Sequence, residues 1–199
     1  MNAKVVRIAF AGQLVMPWAN GGGSTRQVAI DPADGSLVKG FRWRVSRAVV
    51  GSDGPFSVMP GVDRSLWLWR GAGMRLVVDG RVVEVTRPLQ RFDFGGEAVI
   101  TARLIAGPCE DLNVMTARGD VCVDANVIEL GVGEVCDVVV CDQRLVVVLS
   151  GEVGFVDGEC GEVVAGAGDA LRADGVGCFV VRAVVSPCVL LVCRFHVVA

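Results

Sequence analysis

Histidine is almost missing from this chain: its 199 residues hold one, His196, and there is no tyrosine at all. A single imidazole excludes every site built from two, which removes most catalytic zinc and non-haem iron centres. It also leaves no Ser-His-Asp arrangement in the polar loops. Lysine is scarce as well, with Lys4 and Lys39 alone among 19 basic residues. A net charge of −3 and a pI near 5.2 provide no basic footprint, so no nucleic-acid partner is expected. No carboxylate cluster of the Asp-x-Asp-x-Asp kind is present for a hard cation. The expectation is therefore no metal and no cofactor.

Long apolar runs are missing too, despite a mean hydropathy of +0.54. A spanning helix needs about 20 apolar residues in a row. The longest stretches, such as 145–149 and 183–193, are shorter or interrupted by Ser-Pro, and they are rich in strand-favouring Val. The amino-terminal segment, with Lys4, Arg7 and apolar residues 8–16, imitates a signal peptide but runs into Pro17 and Trp18 without a small-x-small cleavage site. The expected protein is cytoplasmic, with no membrane partner. Eight cysteines (109, 122, 136, 141, 160, 178, 188 and 193) form no C-x-x-C pair. Several lie in apolar strand-like runs, where a reduced thiol acts as a small hydrophobe.

What is abundant is strand signal. Hydrophobic residues make up 52% of the chain and charged ones 21%, which excludes disorder. Short Val-rich alternating runs are broken by Gly, Pro or hairpin dipeptides such as Asp79-Gly80 and Asp157-Gly158. No window of ten or more residues carries a helical apolar stripe. The class is all-β. A weak internal repeat lays Arg64 to Gly80 beside Arg144 to Gly158, with Gly71 over Gly151. Such a unit of strand, Gly turn, strand, Asp-Gly and strand has the texture of half a jelly roll. The reading is two similar cupin-like jelly-roll barrels in one compact chain, a bicupin: residues 1–119 carrying the ligand pocket and 120–199 mainly structural. The first half holds all four Trp and most of the Arg.

Three stretches carry the chemistry. The run from Met16 to Gln27, MPWANGGGSTRQ, is a Gly-rich loop with donors at Asn20, Ser24, Thr25 and Arg26, and it lacks both the dinucleotide and the P-loop pattern. From Phe41 to Ser46, strand alternation puts Phe41, Trp43 and Val45 on one face and Arg42, Arg44 and Ser46 on the other. Inside a barrel, such an Arg row makes a wall for carboxylates. From Asp111 to Met115, alternation groups Asp111, Asn113 and Met115, and Asp and Asn sharing a strand face call for a polar lumen or a buried hydrogen-bond network. Asp63 and Arg64, with Arg118, are further candidates that also suit a surface ion pair.

In order, residues 17–26, 43–46, 54–57 (GPFS), 60–64 (PGVDR) and 111–115 (DLNVM) resemble the HutD/Ves family over about residues 5–120. The resemblance implies a cupin-like barrel fold with two similar halves. It further implies either a HutD-type regulator of histidine utilisation, with N-formyl-L-glutamate as ligand, or a Ves-like stress protein with an interaction role. The histidine set of metal cupins is absent here. For an N-acylated dicarboxylate, Arg44 and Arg26 suit the carboxylates, and Asn20, Asn113 and Ser46 suit the amide or a carboxylate oxygen. Trp18 and Trp43 would wall the pocket, with Asp63, Arg64 and Met115 completing the expected set. The partner is thus a small-molecule carboxylate, and a homodimer is left open. An enzyme is the weaker reading: a metal-independent cupin-type isomerase or epimerase using Asp63 and Asp111, or Cys109 as nucleophile.

Overall fold

The computed structural model describes residues 4–157 and 161–198. In chain order the strands are β1 (Lys4–Ile8), β2 (Val15–Pro17), β3 (Gly23–Asp31), β4 (Trp43–Val50), β5 (Gly54–Pro55), β6 (Val62–Arg70) and β7 (Met74–Val78). They continue as β8 (Arg81–Val85), β9 (Arg91–Gly95), β10 (Ile100–Leu104), β11 (Cys109–Ala117), β12 (Val121–Leu130) and β13 (Val135–Val140). The last six are β14 (Gln143–Ser150), β15 (Glu152–Asp157), β16 (Gly161–Gly166), β17 (Ala170–Asp174), β18 (Gly177–Ala183) and β19 (Cys188–Val197). The all-β reading holds: one 3-10 turn, Phe10–Gly12, is the only helical element among the described residues. None of it is a helix long and apolar enough to cross a membrane.

The chain forms two compact units. In the unit Leu14–Asp120, a six-stranded sheet runs β2-β3-β4-β11-β6-β9 and a four-stranded sheet runs β5-β10-β7-β8. Leu66 and Leu68 of the first sheet and Met74, Leu76, Ile100 and Ala102 of the second form its core. In the other unit, a five-stranded sheet β1-β17-β14-β19-β12 and a four-stranded sheet β13-β18-β15-β16 bury Val146, Leu171, Leu190, Phe155 and Val181. The division expected at residue 119 needs one correction. Described residues up to Gln13 belong with Val121–Ala199, because β1 pairs antiparallel with β17, from Lys4↔Asp174 to Ile8↔Ala170. Asp169 fastens the same segment, accepting from Arg7 Nε at 2.9 Å and from the Phe10 amide at 2.8 Å.

The repeat is visible in the pairing. β4-β11-β6-β9 in one unit has its counterpart in β12-β19-β14-β17 in the other, and β5-β10-β7-β8 in β13-β18-β15-β16. Gly71 (φ +92°) and Gly151 (φ +75°) occupy equivalent turns. A Cβ on the first would lie 2.7 Å from the Pro108 carbonyl, and on the second 2.6 Å from that of Pro187. Only glycine fits where the chain passes this close to a Pro-Cys strand start. The hairpin dipeptide Asp79-Gly80 joins β7 to β8 with positive φ at both residues, 47° and 83°, the geometry such turns require. Gly158, the second residue of the matching signal, lies outside the described residues, as does Cys160.

No disulfide joins the seven described cysteines. Cys109, Cys188 and Cys193 are buried, whereas Cys122, Cys141 and Cys178 are exposed. Brief alkylation of the native protein should label the exposed three and spare the buried three until denaturant is added, as peptide mass mapping will show. Early labelling of Cys109 would contradict its place in the core.

Candidate functional site

Within the unit Leu14–Asp120 lies a cavity of about 520 Å³. Its polar wall is the central three strands of the six-stranded sheet. β11 pairs with β4 on one side and with β6 on the other, so Met115 stands opposite both Arg44 and Arg64. At about 4.8 Å per strand, that row places the two arginine backbones about 10 Å apart, flanking one Met. The next residues along β11, on the same face, are Asn113, opposite Ser46, and Asp111, opposite Ala48. The β2–β3 hairpin adds Met16, Trp18, Asn20 and Thr25, and the segment after β5 adds Phe56, Ser57 and Met59.

These polar groups are deeply buried. Arg44 is 3% exposed, Arg64 8%, Asp111 1% and Asn113 5%. Arg64 Nη2 donates to Asn113 Oδ1 at 3.0 Å, and Asn113 Nδ2 donates to Asp111 Oδ1. One amide thus holds both a cation and a carboxyl in place. Arg64 Nη1 reaches the Ser57 carbonyl at 3.3 Å, while its buried Nε has no partner. Its guanidinium lies 4.7 Å from the Phe94 ring centroid and 5.7 Å from that of Phe56, an arrangement that favours a planar cation. Arg44 donates through Nε to Gln27 Oε1 at 3.0 Å, and its terminal nitrogens make no hydrogen bond among the described residues.

Burial governs the ionisation of all three charged groups. It lowers Arg44, and it lowers Arg64 to about 10, with Asp111 opposing that fall and Arg44 adding to it. Burial raises Asp111 to about 7, against the pull of Arg64 and the Asn113 hydrogen bond. At neutral pH the cavity therefore holds two cations and a half-ionised carboxyl, a net positive site suited to an anion. The sign for stability follows from a folded pKa above the unfolded 3.8. The contribution of Asp111 is fully present below about pH 4 and is lost as pH rises through about 7. The melting temperature of wild type minus that of Asp111→Asn should fall across that window and level off above it. A pH-independent difference would show that Asp111 titrates as it does in the unfolded chain.

Of the residues expected from sequence, Trp18, Asn20, Arg44, Ser46, Arg64, Asn113 and Met115 line this cavity. Trp18 is fixed by its indole, which donates to Thr25 Oγ1 at 2.8 Å. Asn20 Oδ1 accepts from the Gly22 amide at 3.0 Å, which shapes the turn and leaves the other half of the amide available. Three expected residues lie elsewhere. Trp43, fully buried, stands one residue before Arg44 and so on the opposite face of β4. Arg26 follows the lining residue Thr25 on β3 and is likewise turned from that face. Asp63 precedes Arg64; its side chain is 54% exposed and pairs with Arg118 at 2.7 Å, beside Glu97. Asp63→Ala should leave ligand affinity unchanged and stability within about 0.5 kcal/mol. A tenfold loss of affinity in a titration would return Asp63 to the site.

Sequence reasoning left Phe56, Met59 and Gln27 out of the set, and placed Asp111 only as a buried polar or catalytic group. Phe56 and Ser57 belong to the GPFS run, which was the available signal. Cys109 is no nucleophile here: it packs in the core, and burial, with Asp111 and Glu110 nearby, pushes its thiol up to about 11. His196 sits on β19 of the other unit, 3.5 Å from Asp124, and is not among the residues that line the cavity. The repeat explains why the site belongs to one unit. In the pairing register, Leu190 and Val192 occupy the places of Asp111 and Asn113, and Asp124 that of Arg44. The equivalent wall of the second unit therefore lacks the Asp–Asn pair, while Arg144 keeps the place of Arg64 and Arg194 stands in that of Met115.

Comparison with known proteins agrees with this frame. The family model described as HutD matches residues 12–184. The chain belongs to the HutD family. A curated relative, described as an uncharacterized 21.2 kDa protein in the hutC 3′ region of Pseudomonas putida, is 38% identical over 102 residues, covering 51% of this chain. The matching segment spans about half of that relative, 53% of its length. Among solved structures, a conserved protein of unknown function from Pseudomonas aeruginosa PAO1 is 28% identical with a TM-score of 0.86, covering 98% of this chain and 100% of its own. HutD from Pseudomonas fluorescens SBW25 is 29% identical with a TM-score of 0.76, covering 96% and 99%. The cupin fold is shared more widely: a cupin 2 conserved barrel domain protein from Leptotrichia buccalis has a TM-score of 0.59 at 12% identity, covering 98% and 91%. The bicupin-like HutD fold expected from sequence is thereby shown.

Proposed function

We propose that this HutD-family chain is a non-enzymatic, small-molecule-binding regulator that limits histidine utilisation in the cytoplasm by binding N-formyl-L-glutamate or a related small dicarboxylate. One observation carries the reading: the row Arg44–Met115–Arg64 at the wall of a half-open cavity, with the terminal nitrogens of Arg44 and Nε of Arg64 uncommitted. Two guanidiniums flanking one residue suit two carboxylates on a short chain, and burial strengthens each charge-assisted bond. The apolar remainder, including Trp18, Phe56, Met16 and Met59, suits the ligand's carbon skeleton. Family membership and the position of the curated relative in a hutC 3′ region support the histidine-utilisation context. Among the described lining residues Asp111 is the one carboxyl, so an isomerase with two carboxylates on opposite sides of its substrate lacks its second group.

The test is a thermal melt in parallel with NMR of the ligand. At 100 times its Kd, N-formyl-L-glutamate should stabilise the fold by about 2.7 kcal/mol, which raises Tm by about 5–11 °C for a chain of this size. The ligand spectrum should stay unchanged after hours with the protein. Conversion of the ligand would make the chain an enzyme, and neither effect would leave a Ves-like interaction role.

A further inference from the structure

The cavity contains a group that a plain dicarboxylate site does not need. Asp111 sits in the same buried wall as the two arginines, yet neither arginine hydrogen-bonds to it. Arg64 instead reaches Asn113, and Asn113 reaches one oxygen of Asp111. The second oxygen has no hydrogen-bond partner among the described residues, and its flanking neighbours in register are Ala48 and Leu68. A carboxyl held in this way, 1% exposed and with one acceptor unused, is positioned for something that enters the cavity.

Resting on the dicarboxylate reading above, we infer that Asp111 is the specificity-determining residue of the site, its free oxygen accepting an N–H from the ligand, so that the preferred class is a dicarboxylate bearing an acylamino nitrogen rather than a nitrogen-free diacid. The charge pattern supports this: two cations and one acceptor in the wall complement two carboxylates and one N–H donor in the ligand. A nitrogen-free diacid offers Asp111 only oxygen. It can enter well while Asp111 carries its proton and donates, and it meets an unpaired anion once that proton is lost. The charged and titratable groups facing Asp111 are Arg64 on β6, Arg44 on β4 and the buried Cys109 thiol on its own strand. Asp111 alone among them changes charge between pH 6 and 8.

The two ligand classes should therefore differ in pH dependence. Calorimetric titration of the wild-type protein at pH 6, 7 and 8 with glutarate and N-formyl-L-glutamate reads this directly. Glutarate affinity should fall several-fold to tenfold from pH 7 to 8, because binding must draw a proton back onto Asp111. N-formyl-L-glutamate affinity should hold or rise over the same range, giving at least a tenfold preference at pH 8. In Asp111→Asn, the glutarate profile should become flat and the preference should shrink severalfold. Parallel profiles and equal affinities for the two ligands in wild type would overturn the assignment of Asp111 while leaving a dicarboxylate binder in place. Failure of both ligands to bind would remove the dicarboxylate reading and this inference together. The wild-type arm needs no variant, so a poorly folding Asp111→Asn would not rescue the inference from a negative result.

Discussion

Replacing Arg44 with alanine is expected to weaken N-formyl-L-glutamate binding by 30-fold or more. Truncating one partner of a buried, hydrogen-bonded charge pair costs about 2–5 kcal/mol, and about 1.4 kcal/mol is tenfold in affinity. Arg44→Lys should recover only part of the loss, since an ammonium keeps the charge but not the planar fork. The fold itself should tolerate the change. Arg44 makes one hydrogen bond, to Gln27, and its burial penalises the charged form, so its removal leaves no orphaned cation. Calorimetry on the three proteins, with melting curves alongside, separates the cases. Equal affinity across the three would remove Arg44 from the site. A collapse of Arg44→Ala stability would make it a structural residue.

Gly23→Ala should be the most damaging single change in the hairpin that roofs the cavity. A Cβ there would lie 2.2 Å from the Val49 carbonyl and 2.9 Å from the Trp18 ring. Backbone cannot yield that distance, and Trp18 is tied to Thr25, so either the β3–β4 pairing opens or the indole leaves the cavity wall. Overpacking against backbone costs about 3 kcal/mol, or a fall in Tm of about 6–12 °C for a chain of this size. Ligand affinity should fall with it. A melting temperature within 2–3 °C of wild type, about the shift of 1 kcal/mol, would show that the hairpin has slack.

The three glycines of this hairpin illustrate what a sequence can and cannot convey. Gly23 closely approaches the chain's own Val49 carbonyl and Trp18 ring, Gly22 sits against Ser52 and Asn20, and Gly21 turns the chain at a φ of +69°. Period-two alternation groups Arg44 with Ser46, and Asp111 with Asn113 and Met115, as any strand must, and those five residues line the cavity. Three other expected residues are turned from the cavity by that same rule. Arg26, Trp43 and Asp63 each stand one residue from a true lining residue (Thr25, Arg44 and Arg64), so their side chains belong to the other face of the strand. The family motifs group neighbours in sequence, whereas the sheet separates them. Other features depend on pairing across long separations. β1 joins β17 some 165 residues later, and no local pattern near Lys4 or Arg7 specifies Asp174 or Asp169 as its partner. The repeat, by contrast, was legible because Gly71 and Gly151 meet the same steric demand in both units.

The most direct measurement is a crystal structure of this chain grown with N-formyl-L-glutamate. The ligand should occupy the cavity with one carboxylate on the terminal nitrogens of Arg44, the other on Arg64, and its N–H directed at the free oxygen of Asp111. Density for the ligand outside the Leu14–Asp120 cavity, or an empty cavity at saturating ligand, would contradict the account.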